Sequence, residues 1–289
     1  MRRGRASKLA PMSHSGQHEL SMVASARGPD ELLWMASTSG STRDREEDRT
    51  IVASAAAGGA AKRDYVRDVF EQIAPSYDLL NHLLSLNIDR RWRRQALASL
   101  GWERDPAATY LDLCAGTMDV AAALVRTPGF SGRVIAADFA EPMLRAGRGK
   151  APIGVAAPIV ADAMRLPLGD ASVAGAIVAF GARNLADLDI GLREARRVLA
   201  RGGRLVILEF TTPRSTLVRA AYHAYFHHLL PFVGTLISGH RTAYEYLPQS
   251  VAHFPGEAEL AVRMRSAGFG DVSHRSLTLG IAAIHVGTR

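Results

Sequence analysis

The chain predicts an α/β fold: a doubly wound, mostly parallel sheet with an antiparallel strand at its C-terminal end. Two observations carry this. Between residues 109 and 210, short apolar runs of strand type alternate with segments of helical period, and strands separated by helices imply a parallel sheet. After that the pattern changes. Residues 271–277 and 281–286 are both strand-like and are separated by Leu279-Gly280, which reads as a terminal hairpin.

The elements follow in order. Residues 65–73 and 88–100 read as helices; in the second, Ile88, Trp92, Ala96 and Leu100 recur every four residues and make one apolar face. Residues 109–114 form the first strand, and Ala115-Gly116-Thr117 turns into a helix over 118–126. The second strand, 133–138, precedes a helix over 141–148, and a third short strand covers 157–161. The fourth strand, 173–180, leads through a loop into a helix over 187–199. Arg201-Gly202-Gly203 then reads as a turn before the fifth strand, 204–210.

Residues 1–62 carry 9 basic and 7 acidic residues, one aromatic (Trp34), a charge run at 43–49 and a low-complexity stretch at 53–61. So little apolar material predicts a disordered tail, with the folded domain over 63–289. Its early arginines suit a transit peptide, but the later acidic cluster does not, and no apolar run of secretory type follows. The net charge of +7 rests on 35 basic residues, of which only Lys8, Lys62 and Lys150 are lysines. An arginine-for-lysine bias with scattered arginines argues against a nucleic-acid footprint, which needs a contiguous basic groove with interleaved aromatics. The single cysteine, Cys114, excludes an internal disulfide framework and any multi-cysteine zinc site. No apolar run approaches the roughly 20 residues of a membrane span.

A ligand is expected at the carboxyl ends of the first and fourth strands, where strand order reverses. Three pieces of sequence fall there. In Asp112-Leu113-Cys114-Ala115-Gly116-Thr117, Gly116 allows a tight turn and close approach of the backbone to a ligand. Asp138, ending the second strand, is placed to accept both hydroxyls of a ribose. Asp162-Ala163, after the third strand, places a carboxylate to meet an adenine amino group. A dinucleotide site needs three glycines for the pyrophosphate, whereas Cys114 and Met118 flank Gly116 here; no GxxxxGK[ST] phosphate loop exists either. A ribose-binding acid without a phosphate cradle favours S-adenosylmethionine (SAM). The plainer alternative is an ordinary turn at Gly116 and a helix cap at Asp138.

From about Val69 to the C-terminus the chain resembles the UbiE/MenG family of quinone-biosynthesis C-methyltransferases. The resemblance runs through Tyr77-Asp78 and Asn81, Arg91-Trp92-Arg93, the 111–119 segment, Asp138 with Pro142-Met143-Leu144, and Asp162-Ala163 with Leu166-Pro167. It continues in Phe180-Gly181 with Arg183-Asn184, Gly202-Gly203, Leu208-Glu209-Phe210 and Tyr246-Leu247 with Ser250. Tyr77-Asp78, the 180–184 segment and the 246–250 segment are the most family-specific. The resemblance implies a class I SAM-dependent methyltransferase, Rossmann-like, with a seven-stranded sheet. It implies C-methylation of a polyprenylated quinol in menaquinone or ubiquinone biosynthesis, demethylmenaquinol to menaquinol first. SAM contacts are then expected from Asp112, Gly116, Thr117, Asp138, Asp162 and Ala163.

Methylating a ring carbon requires ionisation or polarisation of the neighbouring hydroxyl. Arg183 is too basic to be a direct base, so the expectation is that it stabilises the phenolate or orients a water; the structural alternative ties Asp187 or Glu209. Asn184 is expected to hold a quinol oxygen or SAM, and Tyr77 with Asp78 to close over SAM. His285 reads as a satisfied structural histidine. Met118 stands where the family has a small residue; it crowds the methionine end of SAM unless it points into the core. The apolar insertion over 222–237 is expected to cover the prenyl chain and touch a bilayer surface. A cytoplasmic protein, peripheral at the inner face of the membrane, fits these readings, and a homodimer stays open. The alternatives are a class I methyltransferase acting on another small molecule or on RNA, and a SAM-binding protein without catalysis.

Overall fold

The computed structural model describes residues 59–74, 78, 85, 87–152, 154–225 and 241–289. The expected tail before residue 59, Tyr77, and residues 226–240, which include most of the apolar insertion, lie outside the described residues.

Seven strands form one sheet in the order β3-β2-β1-β4-β5-β7-β6. The first five are β1 (Thr109–Leu113), β2 (Arg133–Asp138), β3 (Ala156–Val160), β4 (Val173–Ala179) and β5 (Leu199–Phe210). All pair in parallel. β6 (Gly270–Leu277) and β7 (Ala282–Thr288) make the terminal hairpin, and β7 runs antiparallel to β5. Strand order reverses between β1 and β4, as the alternating sequence predicts.

Eight helices accompany the sheet among the described residues: α1 (Ala60–Ile73), α2 (Ile88–Leu100), α3 (Asp119–Val125), α4 (Glu141–Ala146), α5 (Leu188–Val198), α6 (Thr216–Ala224), α7 (Arg241–His253) and α8 (Glu257–Ser266). None of the described helices is long and apolar enough to cross a membrane.

Both faces of the sheet are covered, and the period of two along each strand divides the core. Tyr110, Ile177, Val206 and Leu208 face one apolar cluster, with Trp92, Ala96 and Leu100 of α2 packed on it. Leu111, Val178, Leu205 and Ile207 face the other, against Leu192 and Val198 of α5 and Leu260 of α8. Leucines and isoleucines this deeply buried each contribute about 1.5–3 kcal/mol. The expected repeat in α2 holds for Trp92, Ala96 and Leu100, whereas Ile88 is 37% exposed at its start. Trp92 is anchored at its polar end by donating Nε1–H to Thr278 Oγ1 at 2.8 Å.

Two expectations change. α1 begins at Ala60, five residues before the predicted start, because Lys62 and Val66 already belong to its buried face. Arg201-Gly202-Gly203 does not separate α5 from β5. The strand runs through it as one 12-residue element, with Gly202 at φ +76° and a register jump opposite Val173 and Gly175. A Cβ on Gly203 would stand 2.7 Å from the Ala174 carbonyl, so glycine lets the strand pass close to β4 there.

Candidate active site

The carboxyl ends of β1, β2 and β4 enclose a cleft of about 700 Å3, open space at its mouth included. Gly116, Asp138, Asp162, Ala163 and Asn184 line it, so five of the predicted site residues converge. Arg63 and Phe70 of α1 close one side, and Phe139, Met143 and Leu185 give it apolar walls.

Local backbone geometry builds the floor. After β1 the chain passes through left-handed conformations at Cys114 (φ +57°), Gly116 (+52°) and Met118 (+61°). This folds the turn back so that Gly116 N–H donates to Asp138 Oδ2 at 2.8 Å, while Ala140 N–H donates to Oδ1 at 2.9 Å. Both carboxylate oxygens are therefore aimed by the backbone and keep acceptor capacity. Burial pushes the Asp138 carboxyl up, and the amides of Ala140, Gly116 and Phe139 oppose that. Gly181 passes so close to β1 that a Cβ there would stand 2.3 Å from Cys114 Cβ. Asp162 is held the same way: Oδ1 accepts from Met164 N–H at 2.9 Å, and Oδ2 pairs with Arg63 of α1 at 3.2 Å.

Four predicted residues do not line this cleft or lie outside the described residues. Asp112 is 1% exposed and accepts from Ala121 N–H at 2.9 Å, so it holds the first turn of α3. The Thr117 hydroxyl donates to Asp78 Oδ1 at 2.5 Å and accepts from Lys150 Nζ at 2.8 Å; Lys150 also pairs with Asp78 and, at 2.6 Å, with Asp119. Asp78 is thereby tied to the β1 turn. Arg183 pairs with Glu209 beside the cleft, and Tyr77 lies outside the described residues. Met118 is buried in the core beside α2, so its side chain leaves the cleft free. His285 donates Nε2–H to the Glu257 carbonyl at 2.9 Å, but its buried Nδ1 has no partner among the described residues, so it is only half satisfied.

Burial raises Asp112 from the usual 3.8 to about 7, opposed by the Ala121 amide. The native value lies above that of the unfolded chain, so its contribution to stability is present below about pH 4 and lost as pH rises through about 7. Asp112→Asn keeps an acceptor for Ala121 and buries no charge. It is expected to melt above the wild type at pH 8, with the gap closing toward pH 5, in calorimetry at the two pH values.

Beside the cleft lies a second, charged cluster. Arg183, 7% exposed, donates Nη1–H to Glu209 Oε1 at 2.9 Å and to the Phe180 carbonyl. Its backbone N–H reaches Glu209 Oε2 at 3.2 Å, and its guanidinium lies 5.6 Å from the Phe210 ring centre. This is the structural alternative for Arg183, with Glu209 as partner. One atom is left over: buried Nε has no hydrogen-bond partner among the described residues. Asn184 Oδ1 accepts from the buried Tyr246 hydroxyl at 3.3 Å. Lys62 of α1 is 8% exposed and completes the cluster. Sequence reasoning missed Lys62, Arg63 and Tyr246 as site residues; the available signal for Lys62 was its rarity, one of three lysines in the chain.

The cleft suits SAM: a backbone-aimed carboxylate for the ribose, a second acid after β3, apolar walls for the base, and no run of amides for a pyrophosphate. Sheet order, hairpin and cleft together define a class I SAM-dependent methyltransferase. Solved structures share the fold. A SAM-dependent methyltransferase from Thermotoga maritima aligns with a TM-score of 0.56 at 19% identity, covering 76% of this chain and 98% of its own. The [4+2]-cyclase SpnF aligns at 0.57 and 15% identity, covering 78% and 95%. The sequence model of the ubiE/COQ5 methyltransferase family matches residues 59–289. A demethylmenaquinone methyltransferase from Thermus thermophilus is 48% identical over 224 residues, 76% of this chain and 100% of its own length. The ubiquinone/menaquinone biosynthesis C-methyltransferase UbiE of Geobacter sulfurreducens is 42% identical over 232 residues, 79% and 90% of the two chains. The chain belongs to the ubiE/COQ5 methyltransferase family.

Proposed function

We propose that residues 59–289, the span the family model matches, catalyse methylation of a ring carbon of a polyprenylated quinol, with demethylmenaquinol as the acceptor and the residues before 59 as a dispensable tail. The observation that carries this is the 48% identity to a demethylmenaquinone methyltransferase over that relative's whole length.

Bound SAM supplies an electrophilic methyl on a sulfonium. The protein binds and orients. Asp138 receives the ribose hydroxyls, Asp162 with Ala163 meets the adenine, and Gly116 lets the backbone approach the methionine end. Arg63 and Phe70 of α1 exclude water from the mouth, and the Lys150 link holds Asp78 against the β1 turn. Because a quinone ring is electron-poor, the acceptor is the reduced quinol. Arg183, held by Glu209, turns its remaining donor to the developing phenolate, and Asn184, oriented by Tyr246, holds a quinol oxygen. Thr117 and Asp112 act on the turn that carries Gly116 rather than on SAM directly. The prenyl tail brings the protein to the membrane surface peripherally, from the cytoplasmic side.

The test is methylation by the purified chain with SAM and each reduced acceptor. Product from demethylmenaquinol but not from the demethylated benzoquinol supports the reading. Absence of SAM binding in calorimetry, or product from neither quinol, overturns it.

A further inference from the structure

The first turn of α1 places Lys62 against the Arg183–Glu209 pair, where a pocket of about 770 Å3 opens next to the SAM cleft and shares Leu185 and Ala186 with it. Two basic side chains, Lys62 at 8% exposure and Arg183 at 7%, thus stand against one buried carboxylate, Glu209. Glu209 is already committed to the Arg183 guanidinium and to the amides of Arg183 and Phe210. The charges that act on Lys62 are those of Arg183 and Glu209. The other charges on the pocket wall are Asp187, Asp189, His253 and Arg263. Asp187 caps α5 through Ile190 N–H, and Asp189 faces Arg263 at 3.5 Å.

We propose that Lys62 is the group that takes the proton from the ring hydroxyl of the acceptor and then holds the resulting phenolate together with Arg183. This rests on the quinol reading given above. Charge balance argues for it. With Lys62 neutral, Arg183 and Glu209 cancel. After proton transfer, the ammonium and the phenolate cancel in turn, so neither state buries a net charge. Arg183 has no such freedom, because its guanidinium stays protonated. Burial, and then the neighbouring Arg183 charge, bring Lys62 down from 10.5 to about 8, with Glu209 opposing. That is a range suited to a base near neutral pH.

The step balances. The O–H electron pair stays on the ring oxygen and delocalises to the adjoining carbon, which forms the new C–CH3 bond. The methyl–sulfur bond breaks with its electrons on sulfur. The ring C–H proton leaves to solvent while Lys62 returns its proton to the oxygen, so one proton is released per turnover.

Three lysines make the test direct. In the full chain labelled with [ε-13C]lysine, the signal lost in Lys62→Arg identifies Lys62. It is expected to titrate near pH 8, and at that pH to move to its ammonium position when 1-naphthol is added as an ionisable ring alcohol. In turnover, wild-type kcat is expected to rise with pH around 8. Lys62→Arg, which keeps the charge but cannot accept the proton, is expected to lose that rise. Its kcat should fall about 10²-fold or more, with KM for the quinol changed only a few-fold. A Lys62 signal that titrates at the ordinary lysine value and ignores naphthol overturns the role. So does a Lys62→Arg enzyme with wild-type kcat and pH profile. Inactivity of the wild type on both quinols overturns the proposed function and this role with it, whereas full activity of Lys62→Arg beside an active wild type overturns this role alone.

Discussion

Glu209→Ala is expected to destabilise the fold by about 3–5 kcal/mol, the cost of leaving one member of a buried ion pair without its partner. Glu209 is 1% exposed at the end of β5 and accepts from the Arg183 guanidinium at 2.9 Å. It also accepts from the backbone amides of Arg183 at 3.2 Å and Phe210 at 2.9 Å. Removing it leaves two amides and a guanidinium without their acceptor in a site walled by Phe180, Phe210 and Trp92. The double variant Arg183→Met/Glu209→Leu is expected to recover most of the loss, because neither charge is then buried, while catalysis is lost. Denaturant unfolding of the three variants measures this; a Glu209→Ala protein within about 1 kcal/mol of wild type would show that the pair is solvated in solution.

Asp138→Ala is expected to weaken SAM binding on the order of 10²-fold. Each hydrogen bond to a charged group is worth about 1.5–3 kcal/mol, and every 1.4 kcal/mol is tenfold in affinity. The side chain has a second task, since its oxygens hold Gly116 and Ala140 at 2.8 and 2.9 Å. Asp138→Asn retains one acceptor for those amides and is expected to bind with intermediate affinity. Asp170→Ala serves as the control: that carboxylate is 74% exposed and pairs with Arg197 away from the cleft. Calorimetric titration with SAM decides, and wild-type affinity in Asp138→Ala would remove Asp138 from the ribose.

What was legible beforehand follows a physical line. Gly116, Asp138 and Asp162 were expected in the cleft, and line it, because Asp138 ends β2 while Gly116 and Asp162 closely follow β1 and β3, at the carboxyl edge of the sheet. The hairpin of β6 and β7 was found from two strand-like runs with a Leu279-Gly280 turn. Thr117 was placed in the cofactor site by its position in a motif. The left-handed turn that follows at Met118 instead directs its hydroxyl to Lys150 and Asp78 and buries the methionine in the core. The glycines at 202 and 203 looked like a break, yet here they let β5 continue beside β4.

The sequence by itself determined the layered α/β architecture, the end of the sheet at which the cleft opens and two of the acids that line it. These depend on periodicity and on residues next to strand ends, both local properties of the chain. Only the tertiary structure decided the buried charges. Lys62, Arg183 and Glu209 come from α1, the turn after β4 and the end of β5, and Tyr246 reaches Asn184 across 62 residues. Which acid Arg183 ties, and whether a rare lysine is a surface charge or a buried group beside the cleft, depends on what packing brings within a few ångströms and removes from water. Burial sets the ionisation of Lys62 and Asp112, and burial is a property of the assembled core rather than of any segment of the chain.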